Sequence, residues 1–205
     1  MFDRRAHWEG VYSTKGENEV SWFQENPTAS IELITATGAG KHAAIIDIGG
    51  GASHLVDVLL QDGFRSLAVL DLSVAALEAA QKRIGPAAAE VEWIVADVTQ
   101  WKPGRLFDVW HDRAAFHFLT QPDDRAAYLD CLRSGLRVGG QAIIATFALD
   151  GPEKCSGLPV QRYDSRGLAE TIGSSFELIE TRAEAHKTPW NSIQSFQFSR
   201  FQRRS

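Results

Sequence analysis

Short apolar segments alternate with helix-like segments through the middle of this 205-residue chain. Residues 42–48 (HAAIIDI) form an apolar run that ends at a glycine cluster, and residues 52–63 then place leucines and valines at helical spacing. The same pair of patterns follows at residues 66–73 and 73–85. Strands separated by helices imply right-handed crossovers and a parallel sheet that is covered on both faces.

The rest of the chain extends this pattern and ends differently. A helix is predicted over 122–140, and two segments at the carboxyl end are separated by only a loop, which indicates an antiparallel hairpin at one edge of the sheet. We therefore predict one α/β domain over 1–205, mostly parallel with an antiparallel C-terminal hairpin, and a helical segment over 1–40 outside the repeat. The remaining predicted strands are 91–99, 106–111, 141–149, 175–184 and 192–201.

Composition excludes several classes of protein. A formal charge of -5 offers no basic field for a phosphate backbone, so nucleic acid is not an expected partner. No apolar run approaches the ~20 residues of a membrane helix, and no apolar stretch follows the amino terminus as in a secretory signal. Cys131 and Cys155 are too few for a disulfide framework or a cysteine zinc site, so we expect free thiols, no metal and a cytoplasmic location.

Glycines and acidic residues follow the first three predicted strands. Asp47 precedes a turn that contains Gly49, Gly50 and Gly51, where the missing side chains let backbone N–H groups approach a ligand. Asp71 and Asp97 end the second and third strands. Ligands of such sheets bind at the carboxyl ends of the strands, so these residues predict a nucleotide-like site. The alternative is a tight turn alone, with Asp47 only capping it.

A dinucleotide is disfavoured as the ligand. The dinucleotide fingerprint needs a third glycine, and His54 occupies that position. An acidic residue before the turn would repel a pyrophosphate but could pair with an ammonium group. A ligand with a ribose and an adenine but no phosphates fits better, and S-adenosylmethionine is such a ligand.

The motifs DIGGGAS, VLDLS and VADVTQW resemble those of the class I S-adenosylmethionine-dependent methyltransferases. The resemblance implies a Rossmann-like sheet of seven strands with the last one antiparallel. It also implies that the glycine turn lies beside the methionine moiety, that Asp71 with Leu72 meets the ribose, and that Asp97 with Val98 meets the adenine.

Residues 107–136 are similar to the corresponding region of thiopurine S-methyltransferases, with Asp112 and Arg113 after the fourth strand. Ala185 departs from an arginine of that family, which favours a small or differently charged acceptor. Residues 7–24 are similar to a segment that folds over the cofactor, both in these enzymes and in a group of protein lysine methyltransferases.

The residues near the end of the fourth strand suggest which side chains take part in methyl transfer. Arg113 would favour a thiolate acceptor, whereas an amine or hydroxyl acceptor would need a base, for which His117 and His111 are candidates. Asp112 with Arg113 is equally interpretable as a structural ion pair, His117 as a core residue, and Trp22 as a hydrophobic anchor rather than a cofactor contact. We predict a methyltransferase for a small molecule, favoured to be a thiol; the alternatives are a protein lysine methyltransferase and a noncatalytic adenosyl-binding module.

Overall fold

A computed structural model describes residues 2–205 as a seven-stranded sheet, a separate two-stranded hairpin and helices packed around them. The strands are β1 (Ala44–Ile48), β2 (Ser66–Asp71), β3 (Val91–Val95), β4 (Phe107–Arg113), β5 (Leu136–Phe147), β6 (Lys154–Cys155), β7 (Leu158–Pro159), β8 (Phe176–Lys187) and β9 (Ile193–Arg203). The helices are α1 (Arg4–Thr14), α2 (Thr28–Ala36), α3 (Leu55–Gln61), α4 (Val74–Ile84), α5 (Pro122–Gly135) and α6 (Ser165–Ile172).

The predicted sheet is confirmed. Its strand order is β3-β2-β1-β4-β5-β9-β8, with parallel pairing from β3 to β5. Strand β9 pairs antiparallel with both β5 and β8, so the tail forms the predicted edge hairpin. The order reverses between β1 and β4, and a crevice opens there at the carboxyl ends of the strands.

Two apolar clusters cover the two faces of the sheet. Ile45 and Ile46 are adjacent in β1, yet Ile46 packs into one cluster and Ile45 into the other. Side chains of a strand alternate between faces, so a continuous apolar run such as that of β1 is what a doubly covered strand requires.

Several element boundaries differ from prediction. Strand β4 continues to Arg113, and β5 begins at Leu136 rather than at residue 141, because Leu136 pairs with Phe107 where a helix had been predicted to continue. The hairpin of β6 and β7 and the helix α6 lie between the predicted strands 141–149 and 175–184, where no element had been predicted.

Two α-helices, α1 and α2, lie in the amino-terminal part of the described chain. Helix α1 packs against α4, and α2 packs against α3 and the sheet. Within residues 2–205, no helix combines the length and the apolar character needed to cross a membrane.

Candidate functional site

The glycine turn after β1 has a backbone that side chains would obstruct. Gly49 and Gly51 have φ of 66° and 48°, in the left-handed region that favours glycine. A Cβ at Gly49 would lie 2.7 Å from the Cβ of Ala115, and one at Gly50 would lie 2.6 Å from Oδ2 of Asp47. The turn therefore forms a cradle of bare backbone, which fits a cofactor that approaches closely.

Asp71 ends β2 beside this turn and is buried. Its Oδ1 accepts a hydrogen bond from the backbone N–H of Ser73 at 2.9 Å. Burial raises the pKa of Asp71 to about 7, and the charge of Asp47 adds to the rise while the Ser73 N–H opposes it. A desolvated carboxylate with this pKa is stabilised by further donors, which the two hydroxyls of a ribose would supply.

Asp97 lies at the far end of the same crevice. Its Oδ1 accepts from the backbone N–H and the hydroxyl of Thr99 at 2.9 and 2.7 Å. Its Oδ2 lies 3.1 Å from Nη2 of Arg4, which also contacts Asp124 at 3.4 Å. The carboxylate predicted to meet the adenine is thus already paired with a cation from α1.

Helix α1 and the segment after it cover the crevice with aromatic rings. Trp8 packs edge-on against Trp22 and Phe118, with ring centroids 5.6 and 5.0 Å apart. The indole N–H of Trp22 donates to the hydroxyl of Tyr12 at 3.2 Å. Burial raises the pKa of Tyr12 far above its ordinary value, so its hydroxyl stays protonated.

Sequence reasoning missed Arg4, Trp8 and Tyr12. Their spacing of four residues places them on one face of α1, directed at the crevice. This face carries no apolar stripe, since it combines a cation with two amphipathic aromatic residues, so the periodicity of a core-facing helix did not reveal it. An Arg-x3-Trp-x3-Tyr pattern was the signal available.

One cavity joins most of these groups. It extends from Arg4 and Asp97, past Asp71 and Gly49, to Arg113 and the rings that surround it. Residues predicted for the cofactor that line it are Trp22, Gly49, Asp71, Leu72, Asp97 and Val98. Asp47 and Gly50 line an adjoining cavity, which shares Trp22, Gly49 and Arg113 with the first.

Arg113 is the cation at the inner end of the main cavity. Its Nη1 donates to the backbone carbonyl of Trp22 at 3.0 Å, and its guanidinium carbon lies 4.6 Å from the centroid of the Phe196 ring. Nη2 lies 3.9 Å from Oε2 of Glu184, beyond hydrogen-bond distance, and Nε and Nη2 have no hydrogen-bond partner within residues 2–205. Burial lowers the pKa of Arg113 to about 10, with the charge of Glu184 opposing it, so the side chain is still a cation at neutral pH.

Asp112 does not accompany Arg113 into the cavity, because neighbouring residues of β4 face opposite sides of the sheet. Its carboxylate is fully buried and accepts hydrogen bonds from the backbone N–H of Ala115 at 2.8 Å, from that of Phe116 at 3.1 Å and from the hydroxyl of Tyr128 at 2.7 Å. Burial raises its pKa to about 6, against these donors. Asp112 thus anchors the turn after β4, and the reading of Asp112 with Arg113 as one ion pair does not hold.

His117 is also placed away from the cavity. It is fully buried, and its Nδ1 accepts from the backbone N–H of Phe147 at 3.3 Å. Burial, and secondarily the charge of Arg113, lower its pKa to about 3. A histidine with this pKa is neutral and a weak base at neutral pH, so its position does not suit the predicted role in proton transfer.

The end of the cavity beside Arg113 carries a thiol. Cys155 of β6 is buried and lines the cavity together with Arg113, and burial raises its pKa to about 11 although Arg113 opposes the rise. Cys155 is therefore a thiol rather than a thiolate at neutral pH. Within the described residues, no group of three or more His, Cys, Asp or Glu side chains is placed to hold a metal ion.

Comparison with known proteins adds independent findings. A model of a methyltransferase domain matches residues 45–140, which include the glycine turn, Asp71, Asp97 and Arg113. EEF1A lysine methyltransferase 2 from Danio rerio is 28% identical over 160 residues, covering 69% of this chain and 67% of that protein.

Solved structures share the fold at low sequence identity. A structure from work on the conversion of a disulfide bond into a thioacetal group during echinomycin biosynthesis has a TM-score of 0.76 and 18% identity, covering 98% of this chain and 92% of that chain. The N-methyltransferase NodS from Bradyrhizobium japonicum WM9, in complex with S-adenosyl-L-homocysteine, has a TM-score of 0.74 and 15% identity, covering 99% and 100%.

Proposed function

We propose that the chain is an S-adenosylmethionine-dependent methyltransferase that methylates a small, soft nucleophile, favoured to be a thiol, inside the covered cavity. The observation that carries this proposal is the buried guanidinium of Arg113, whose Nε and Nη2 have no hydrogen-bond partner among the described residues.

The cofactor supplies an electrophilic methyl group on a sulfonium. The residues that would hold it are those of the crevice: the glycine turn for close approach, Asp71 for the ribose hydroxyls, and Asp97 with the backbone of Val98 for the adenine. Leu72 and Trp22 would pack against it, since both line the cavity. The exposed backbone of the turn and the raised pKa of Asp71 fit such a ligand.

Arg113 would position the acceptor. A guanidinium is a weakly hydrated cation, and a donor without a partner in a buried site favours an anion beside it. A free thiol has a pKa of ~8.5, and an adjacent cation increases the fraction of thiolate, which is the reactive form. Arg113 can therefore attract a thiolate and oppose the rise in thiol pKa that burial causes.

Among residues 2–205, the two predicted candidates Asp112 and His117 are not placed to act as a general base beside Arg113. Asp112 is engaged by three donors, and His117 is buried apart from the cavity with a pKa of about 3. An acceptor that is already partly deprotonated near neutral pH needs no such base, whereas an alcohol does. This placement favours a thiol over a hydroxyl acceptor.

The aromatic cover would keep the reaction dry. Trp8, Trp22, Phe118 and Phe196 line the acceptor end of the cavity. In-line methyl transfer depends mostly on holding the nucleophile and the methyl carbon in contact, collinear and without water. A small, weakly hydrated anion such as a thiolate fits such surroundings better than a strongly hydrated anion.

The second candidate is a protein lysine methyltransferase. It is favoured by the 28% identity to EEF1A lysine methyltransferase 2. The buried cation and the cover formed by α1 argue against it, because a lysine side chain would have to enter beside Arg113.

A substrate panel tests the proposal. The purified protein would be incubated with labelled S-adenosylmethionine and methanethiol, thiophenol, an amine, a phenol or a cell lysate. We expect turnover of the thiols, with the rate rising toward the thiol pKa. Label confined to a protein band of the lysate, with no methylation of thiols, would overturn the proposal and favour a protein lysine methyltransferase.

A further inference from the structure

Behind the glycine turn, three buried polar side chains form a hydrogen-bonded chain. His111 Nδ1 lies 2.7 Å from Oδ1 of Asp47, and His111 Nε2 lies 2.9 Å from Oγ of Ser30. The exposed fractions of Ser30, Asp47 and His111 are 1%, 5% and 2%. Both ring nitrogens of His111 are therefore hydrogen-bonded to protein side chains.

The fold brings these residues together from three places in the chain. Asp47 of β1 and His111 of β4 are register partners in the parallel pair at which the strand order reverses. Directly paired residues of neighbouring strands project to the same face of the sheet, which explains the short contact. Ser30 comes from α2, which packs on that face.

Chemistry sets the direction of the first hydrogen bond. An ionised carboxylate only accepts, so Nδ1 of His111 carries the proton that is shared with Asp47. The hydroxyl of Ser30 can donate or accept and therefore satisfies Nε2 in either state of the ring. His111, held by Ser30, therefore donates to Oδ1 of Asp47 and fixes the orientation of its carboxylate.

The other oxygen of Asp47 faces the glycine turn. A Cβ at Gly50 would lie 2.6 Å from Oδ2, so this oxygen is directly beside the backbone that the cofactor approaches. Asp47, His111 and Gly50 line the adjoining cavity, which Arg113 also lines. A carboxylate at this end of the crevice suits an ammonium group.

We propose that His111 is a positioning residue for cofactor binding: it orients the Asp47 carboxylate toward the α-ammonium group of the aminoacyl end of S-adenosylmethionine, and Ser30 holds His111 in place. A buried carboxylate that lacks this donor can rotate, and its hydrogen bond to an ammonium loses both direction and strength. The proposal rests on cofactor binding and is independent of which acceptor is methylated.

Two ligands separate this role from a merely structural one. S-adenosylhomocysteine carries the aminoacyl end, and 5′-methylthioadenosine has the same adenosine thioether without it. For His111→Leu, calorimetry should show Kd for S-adenosylhomocysteine raised by about 30-fold, as expected for a charge-assisted hydrogen bond, and Kd for methylthioadenosine changed by less than about 2-fold. Equal weakening of both ligands, or no weakening of either, would overturn the proposal.

Conservative variants keep the test informative if His111→Leu does not fold. The amide of His111→Asn can place an N–H near the position of Nδ1, so it should recover most of the affinity for S-adenosylhomocysteine. Ser30→Ala removes only the outer partner and should raise that Kd by roughly 3- to 10-fold, again without affecting methylthioadenosine. If Ser30→Ala weakens both ligands alike, the chain only supports the fold and the proposal is wrong.

A double-mutant cycle tests the path through Asp47. In an Asp47→Asn background, His111→Leu should cause no further loss of affinity for S-adenosylhomocysteine, because the group that His111 orients is gone. Additive losses would show that His111 acts by another route. None of these measurements needs an acceptor, so a failure of the thiol assay leaves them unaffected.

Discussion

The guanidinium of Arg113 lies 4.6 Å from the centre of the Phe196 ring, with one N–H group bound to the carbonyl of Trp22. The ring and the carbonyl hold the cation at the acceptor end of the cavity without neutralising it, and Glu184 remains 3.9 Å away. A charge held in this way can attract an anion, and the first prediction follows from it.

Replacing Arg113 by Gln should lower turnover on thiols far more than cofactor affinity. Loss of a charged donor in a buried site costs ~1.5–3 kcal/mol, so kcat/KM should fall roughly 10- to 150-fold, while Kd for S-adenosylhomocysteine changes by less than about 3-fold. Arg166→Gln, at an exposed arginine of α6, is the matched control. Equal losses in turnover and cofactor binding would assign Arg113 to the cofactor.

Cofactor affinity should fall as the pH falls through 7. The pKa of Asp71 is about 7 in the cofactor-free protein because of burial, and ribose hydroxyls bind the carboxylate form. Below that pH, binding must remove a proton, which weakens affinity by up to about tenfold per pH unit. Kd for S-adenosylhomocysteine measured from pH 5.5 to 8 should show this slope, and Asp71→Asn should bind weakly with a flatter profile. A flat profile for the unmodified protein would contradict the role of Asp71.

The same carboxyl group should make the free energy of unfolding fall as the pH rises, which is opposite to its effect on cofactor affinity. Its pKa rises from 3.8 to about 7 on folding, so between these values the folded state holds a proton that the unfolded state has lost. The free energy of unfolding of the cofactor-free protein should therefore receive from Asp71 a contribution that declines as pH rises from about 4 to 7. Urea titrations of the unmodified protein and Asp71→Asn across this range would measure the difference.

Gly49→Ala should disturb the cradle. The added Cβ would lie 2.7 Å from the Cβ of Ala115, at a φ of 66° that an alanine rarely adopts. Such strain costs ~1–3 kcal/mol, so we expect a lower Tm and at least about tenfold weaker cofactor binding. Gly104→Ala, at a glycine with no atom within 4 Å of the added carbon, should change neither. Unchanged cofactor affinity in Gly49→Ala would remove the turn from the site.

Arg4→Ala should loosen the cover at the adenine end. Its contacts with Asp97 and Asp124 are partly exposed, and such pairs contribute ~0.2–1 kcal/mol, so Kd for the cofactor should rise roughly 2- to 5-fold, and less at high salt. Arg5→Ala, at the exposed neighbour on α1, is the control. Tighter binding by Arg4→Ala would instead show that Arg4 competes with the adenine for Asp97.

Asp112→Ala should destabilise the fold. It leaves two backbone N–H groups and the Tyr128 hydroxyl without their acceptor in a fully buried place, at a cost of at least about 3 kcal/mol. Tyr128→Phe removes one of these bonds and also the acceptor of the Trp110 indole N–H at 3.0 Å, so it should cost about 1–3 kcal/mol with nearly normal kcat/KM. Thermal melts and turnover measured together decide between roles: an unchanged Tm with lost activity would place Asp112 in the chemistry.

The parallel sheet and the residues at the carboxyl ends of its first three strands were predictable from the sequence alone. The apolar run 42–48 with Gly49, and the acidic ends at Asp71 and Asp97, are local patterns whose meaning depends on period and on position after a strand. Because the carboxyl ends of parallel strands meet at one edge, these residues had to lie near each other once the sheet formed.

Other features required the tertiary structure. Asp112 and Arg113 are adjacent in sequence, but β4 extends through both, and alternation sends one into the core and the other into the cavity. The sequence had suggested that His117 was available, and packing buries it. Because β4 ends two residues later than predicted, Asp112 and Arg113 face opposite sides of the sheet and have different roles.

Composition, period and motif order determined the α/β sheet, the class of cofactor and the carboxylates at the strand ends, because each is encoded by residues close together in the chain. The ion pair of Arg4 with Asp97, and the chain from Ser30 through His111 to Asp47, were decided only by tertiary packing. The partners in these contacts are separated by tens of residues, so no pattern within a short stretch of sequence predicts that they meet.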